Sequence, residues 1–300
     1  MLDCLVIGGG PAGLTTAIYL ARYFLSVVVV DDGKSRADLI PMSRNLAGFP
    51  DGISGTDLLT RMRQQAELYS VNYRRERVIT LIRENGQFAA LTPQGKIQSA
   101  TVILATGVIN RRPEMSRAVH DEALGRGLVR YCPICDGYEV ADQAVAVIGS
   151  GKHAVNEAEF IRSYSANVTL VFPNEADVLE ESLEQKLSNL GVKFLRGPAK
   201  YEIDGDHMMI KLPSGTYNYS AIYPALDSDV RSELGIEIGA NISPEGCLIV
   251  DDHQSTNIEG LYAAGDVVKG LDQIASAIGH GSIAANAVRN YVSTKRSILR

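Results

Sequence analysis

The sequence predicts an α/β protein with two Rossmann-like, three-layer nucleotide-binding folds. Three observations carry this. A short apolar run leads into a glycine-rich turn near the start and again near the middle of the chain. Each turn is followed by a stretch of helical composition and then by a second β-branched run. The 300 residues are enough for about two domains at ~150 residues each.

The first unit opens with Leu5-Val6-Ile7, read as a strand, running into Gly8-Gly9-Gly10-Pro11-Ala12-Gly13. Residues 14–23 read as a helix and Val27 to Val30 as the next strand. This is a complete G-x-G-x-x-G. Gly8 serves the tight turn, Gly10 the close approach of a pyrophosphate and Gly13 helix packing, while the helix N-terminus favours negative charge. Asp31, followed by Asp32, ends the second strand, placed to accept hydrogen bonds from ribose hydroxyls.

Val145 to Ile148 opens the second unit and leads into Gly149-Ser150-Gly151-Lys152-His153-Ala154. Residues 155–164 read as a helix and Val168 to Val171 as a strand. Ala154 at the last position is a variant that the dinucleotide fingerprint tolerates. The strand ends in Phe172-Pro173-Asn174-Glu175-Ala176-Asp177, which offers no cation for a 2′-phosphate. Two further strand-like runs end in Ala105-Thr106-Gly107 and in Ala264-Gly265-Asp266, and ligands of open α/β sheets gather at such strand ends. A helix over 273–292 closes the chain, its small residues allowing close approach at its start, and Lys295 to Arg300 reads as a solvated end.

With 45% hydrophobic and 21% charged residues the chain has the profile of a globular protein, and its net charge of -6 disfavours nucleic acid or an anionic membrane as partner. No apolar run approaches the ~20 residues that span a bilayer, and no export signal is visible, so the expected compartment is the cytoplasm. There, two thiols spaced as Cys132-Pro133-Ile134-Cys135, flanked by Arg130 and Asp136, read as a redox pair, with a nearby cation or helix N-terminus lowering one thiol pKa. A zinc site would need two more ligands, and Cys4 and Cys247 stand alone, so no metal is expected. Cys4 reads as a buried small hydrophobe, and Tyr131 and Tyr138 as packing around the pair.

Taken in order, these motifs, together with Gly48-Phe49-Pro50-Asp51-Gly52-Ile53-Ser54-Gly55, resemble the low-molecular-weight thioredoxin reductase family across nearly the whole chain. The resemblance implies an FAD-dependent disulfide oxidoreductase and a cytoplasmic homodimer. Its FAD domain would be discontinuous, 1–112 and 241–300, with the second nucleotide fold inserted at 113–240 and carrying the redox pair. Carried over, Cys135 interacts with the flavin, Cys132 attacks the partner disulfide and Asp136 donates and accepts the proton. Gly8, Gly10, Pro11, Ala12, Gly13, Asp31, Asp32, Ala105, Thr106, Gly107 and Gly265 would line the FAD site. Asp266 would bind the ribityl chain, with Gln273 and the Ile274 amide near the isoalloxazine. Gly149, Gly151 and Ala154 would form the second nucleotide site. The implied partner is a thioredoxin-like protein or a small disulfide.

The chain departs from the family at three places. Members that use NADPH carry a His-Arg-Arg stretch plus a further Arg after the second strand of the inserted domain, where this chain has Phe172-Pro173-Asn174. The family Arg before the flavin-side Gln is Asp272, and the usual Ala-Ala-Gly-Asp-Gly is Ala277-Ile278-Gly279-His280-Gly281. Acids that replace or stand near phosphate-binding cations repel a 2′-phosphate, so the donor is expected to be NADH, or reduced ferredoxin or flavodoxin, rather than NADPH. The alternatives are an ordinary NADPH-dependent thioredoxin reductase and an FAD-binding redox sensor without disulfide turnover.

Overall fold

The computed structural model describes residues 2–84 and 86–298. The chain divides into two compact units, Met1–Ile40 with Ile53–Ile109 and Val230–Arg300, and Pro41–Gly52 with Asn110–Asp229.

In the first unit the strands β1 (Leu2–Ile7), β2 (Val27–Asp31), β3 (Asn72–Arg75), β4 (Thr80–Glu84), β5 (Gln87–Thr92) and β6 (Gly95–Leu104) lie in the order β3-β2-β1-β6-β5-β4. Strands β1, β2, β3 and β6 run parallel, β4 and β5 form an antiparallel flank, and a late strand, Leu261–Ala263, joins β6 in parallel. Apolar clusters cover both faces of this sheet, which is why its parallel strands read as unbroken apolar runs. Helix α1 (Pro11–Arg22) starts three residues before the expected Leu14, because Pro11 is preorganised for the first helical position. Helix α2 (Gly55–Glu67) is capped by Ser54, whose Oγ accepts from the Asp57 amide.

The closing helix, Ile274–Lys295, packs on α1. A Cβ on Gly281 would stand 2.4 Å from the Ala12 carbonyl oxygen, and Thr16 Oγ1 donates to the Gly281 carbonyl at 3.1 Å. The small residues read from the sequence are therefore the price of helix contact here. Residues 295–297 are exposed, as expected of a solvated end, and Arg296 also reaches back to both carboxylate oxygens of Asp3, at 2.8 and 2.9 Å. Residues 299 and 300 lie outside the described residues.

In the second unit β7 (Val145–Gly149), β8 (Val168–Phe172), β9 (Lys193–Arg196) and a strand at Ala221–Ala225 form a parallel sheet in the order β9-β8-β7-(221–225). Helix α3 (Gly151–Ile161) crosses from β7 to β8. An antiparallel three-stranded sheet (Lys200–Asp204, His207–Leu212, Gly215–Tyr219) interrupts the nucleotide fold.

The division of the chain differs from the expected boundaries at three stretches, 41–52, 110–112 and 230–240. Residues 41–52 group with the second unit, where Arg44 Nε lies 3.8 Å from Glu139 Oε1. Residues 230–240 group with the first, because Leu234 and Ala240 are buried with Leu5, Leu104 and Leu248.

Candidate active site

In the second unit, Cys132 and Cys135 form a disulfide with Cα atoms 5.2 Å apart. Pro133 starts a short helical turn, Pro133–Asp136, in which the Cys135 amide donates to the Cys132 carbonyl. The turn is seated against the sheet: the Arg130 amide donates to the Ile222 carbonyl, so Arg130 and Tyr223 arrive on neighbouring stretches of chain. They converge on Asp136. Arg130 Nη1 lies 3.0 Å from Oδ2, and the Tyr223 hydroxyl donates to Oδ1 at 2.8 Å. Burial pushes the Asp136 carboxyl above the usual carboxylate range, while Arg130 and Tyr223 oppose the shift and Glu139 adds to it. Burial and the neighbouring Asp136 charge also push the Tyr223 phenol far up, so this hydroxyl remains a donor.

Arg130 thus faces the Asp136 carboxylate. The flanking tyrosines separate. Tyr131 is tied to the buried His120 ring, its hydroxyl 2.7 Å from Nε2, whereas Tyr138 is 80% exposed and does not pack as expected. Cys4 is fully buried and its thiol is pushed up to about 12 by that burial, so it has no thiolate at neutral pH.

The first unit assembles the other candidate residues at one sheet edge. Register aligns Val30, Ile7, Leu104 and Ala263 in a row across β2, β1, β6 and the 261–263 strand. The first glycine turn, Asp31, Ala105-Thr106-Gly107 and Ala264-Gly265-Asp266 follow directly at that edge. Two close approaches explain the glycines. A Cβ on Gly8 (φ +111°) would lie 2.2 Å from the Ala105 carbonyl oxygen, and one on Gly13 would lie 1.9 Å from that of Gly8. Thr106 Oγ1 donates to the Arg231 carbonyl at 2.5 Å. Gly265 has φ +81° and packs on Ala12, which brings Asp266 beside the turn.

Asp31 is buried, and its carboxylate accepts from the Gly9 and Gly33 amides and from the Tyr73 hydroxyl. It braces the turn from within. Asp32 lies 3.5 Å from Arg231. Asp266 Oδ2 accepts from Arg36 Nη1 at 2.9 Å, and the same nitrogen reaches Asp272 Oδ2 at 2.9 Å. Burial, reinforced by the Asp266 charge, pushes Asp272 up to about 6. Gln273 precedes the first residue of the closing helix, Ile274. The His280 imidazole is held below its usual value by burial, against the pull of Asp266, and its Nδ1 is buried without a hydrogen-bond partner among the described residues.

Residues 2–281 match the family of pyridine nucleotide-disulphide oxidoreductases. The chain belongs to this family. It is 31% identical to a thioredoxin reductase of Aquifex aeolicus, over 99% of this chain and 95% of that protein. It is 29% identical to a thioredoxin reductase of Listeria innocua, over 99% and 96%. Among solved structures, the thioredoxin reductase of Streptococcus pyogenes superposes with a TM-score of 0.89 at 29% identity, covering 98% of this chain and 99% of that one. The chain is a flavin-dependent disulfide reductase of the thioredoxin reductase type, a group that uses FAD.

The oxidoreductase fits FAD on its own geometry. A Cβ on Gly10 would meet only Ser35 Oγ, at 3.2 Å, so this glycine leaves room at the start of α1, whose N-cap has no side-chain hydrogen bond. The second turn repeats the design. Gly149 is held against the Ala225 carbonyl oxygen, 2.4 Å from a would-be Cβ, while Gly151 (φ +70°) has nothing within 4 Å of one. No helix of the described residues is long and apolar enough to cross a membrane.

Sequence reading missed four contributors. Tyr73, Arg36 and Tyr223 lie far along the chain from the carboxylates they serve, at separations of 42, 230 and 87 residues. Arg196 ends β9 in register with Phe172, its guanidinium 4.4 Å from the Phe172 ring. Only for Arg36 was there a signal, the loss of a family cation at Asp272.

Proposed function

We propose that this reductase takes electrons from NADH and passes them through FAD and the Cys132–Cys135 pair to the disulfide of a thioredoxin-like protein. The observation that carries the reading is the carboxyl end of β8. There Asp177 Oδ2 accepts from the Asn174 amide at 3.0 Å, so an acid, rather than an arginine cluster, organises the segment that follows the strand. An acid at this place suits ribose hydroxyls and repels a 2′-phosphate.

FAD, when bound, supplies the two-electron relay between the nucleotide and the disulfide. Gly8, Gly10 and Gly13 would bring the α1 amides to its pyrophosphate, with Asp31 bracing that turn, Asp32 would hold the ribose end, and Ala105, Thr106 and Gly107 would line the neighbouring strand end. Gly265 and Asp266 would hold the ribityl chain, with Gln273 and Ile274 near the ring. The turn of Gly149, Gly151 and Ala154 would hold the nucleotide. In the reduced protein the Cys132 thiolate attacks the partner disulfide, forming a mixed disulfide and releasing one partner thiolate, which takes a proton. The Cys135 thiolate then attacks Cys132 Sγ, restoring the Cys132–Cys135 bond and releasing the second partner thiol. Asp136 holds and returns the proton in these steps.

A second reading keeps NADPH, and one contact favours it. Arg196 lies over Phe172 and donates from Nη1 to the Asp177 carbonyl at 2.5 Å, which brings a cation to the strand end from the adjacent strand. Anaerobic bleaching of the flavin with NADH, NADPH and reduced ferredoxin or flavodoxin separates the readings. Fastest bleaching by NADH supports the first. Fastest bleaching by NADPH, lost in Arg196→Ala, supports the second, and bleaching by the protein donors alone overturns both.

A further inference from the structure

Asp272 and Gln273 directly precede the closing helix, and a cation from elsewhere in the first unit meets Asp272. Arg36 stands 2.9 Å from Asp272 Oδ2 and 2.9 Å from Asp266 Oδ2 through the same Nη1. It comes from a different element, the 3-10 turn Arg36–Leu39, capped by Ser35. That turn is held rigidly: a Cβ on Gly55 would lie 1.7 Å from the Ala37 carbonyl oxygen, and the Gly55 amide donates to Ile40.

We propose that Arg36 and Asp272 form a charge pair that positions Asp266 for the ribityl chain of FAD, a role that rests on the assignment of Asp266 to the flavin site. The geometry gives Arg36 two carboxylates to satisfy. Shared between them, it fixes Asp266 through Oδ2 and leaves Oδ1 to accept from a ligand hydroxyl. Without Asp272, Arg36 closes on Asp266 alone and competes with the ligand for that carboxylate. Without Arg36, two carboxylates drawn together by one cation repel each other, and Asp266 turns away. Neither residue needs to touch FAD, so both are positioning residues.

The test is a double-mutant cycle read by the FAD dissociation constant of flavin-stripped protein and by the visible flavin spectrum of the reloaded protein. Arg36→Gln and Asp272→Asn are each expected to weaken FAD binding by about ten-fold or more. The exchanged double variant, Arg36→Asp with Asp272→Arg, is expected to recover binding to within about three-fold of the parent and to restore its spectrum. Losses that simply add in the double variant, or single variants that bind FAD as the parent does, overturn the proposal. Circular dichroism of each stripped variant checks folding, and Arg36→Lys, which keeps the charge, gives a milder loss if Arg36→Gln fails to fold. Asp266→Asn tests the underlying assignment separately. If it leaves FAD affinity unchanged, the flavin role of Asp266 fails; if it weakens binding while the cycle shows no coupling, only the charge pair fails.

Discussion

Arg130 Nη1 lies 3.0 Å from Asp136 Oδ2, and this pair flanks the Cys132–Cys135 disulfide in the chain, with a tyrosine hydroxyl on the opposite carboxylate oxygen. Burial alone favours the neutral acid, and Arg130 restores part of the charged form. Arg130→Met removes that opposing cation. Because the folded-state pKa of Asp136 is raised, its ionisation weakens the fold as pH rises through that value. The variant should therefore lose more stability at pH 8 than at pH 5, on the order of 2 kcal/mol at the higher pH for a half-removed buried pair. Thermal unfolding at both pH values checks this, and an equal loss at each excludes the linkage. The pH–rate profile for disulfide turnover should move its Asp136 limb upward.

Tyr223→Phe deletes the hydrogen bond to Asp136 Oδ1 and keeps the ring in a fully buried position. The expected cost in stability is about 1 kcal/mol. Turnover of a thioredoxin-like disulfide should fall while the FAD content of the purified protein stays at the parental level, which absorbance measures directly. A parallel loss of FAD would show that the residue acts on the whole fold.

Cys132→Ser and Cys135→Ser should each abolish disulfide turnover and leave FAD bound. Titration of thiols in the reduced parent and in each variant, beside an assay with thioredoxin, checks the assignment. Full activity in either variant would remove the pair from the reaction.

Asp272 titrates at about 6, well above the 3.8 of an unperturbed aspartate, for the reasons of burial and the Asp266 charge. The groups facing it are Arg36, Asp266 and the Cys247 thiol, which Asp272 helps to raise. A raised acid favours the folded state at low pH and loses that contribution as pH climbs through about 6. In flavin-stripped protein, Asp272→Asn should raise Tm at pH 8 and leave it unchanged near pH 4. FAD affinity should move the other way, weakening in the parent below pH 6 and staying flat in the variant.

Gly13→Ala would place a methyl 1.9 Å from the Gly8 carbonyl oxygen, against backbone that cannot yield. The first unit should lose on the order of 3 kcal/mol and its FAD. The Cys132–Cys135 disulfide, in the other unit, should still form, and thiol titration of the purified variant reads it.

Much of this protein was legible in its sequence because its signals are local. Gly8, Gly10 and Gly13 serve contacts within a single turn, and Cys132 and Cys135 are close enough in the chain to bond across a helical turn. The strands Val27–Asp31 and Val145–Gly149 are buried on every residue, so composition alone marks them. The antiparallel sheet over 200–219 carried a weaker signal, since its strands alternate exposed and buried residues and lie in a polar stretch.

By itself, the sequence determined the two nucleotide folds, the redox pair and the family, because each depends on residue types at short spacing. Tertiary structure decided the partners of the buried charges. It assigned Arg130 to Asp136, Arg36 to Asp266 and Asp272, and Asp31 to the glycine turn. The reason is electrostatic: a carboxylate taken from water must be met by a donor or cation, but any stretch of chain that folding brings within about 3 Å can supply it.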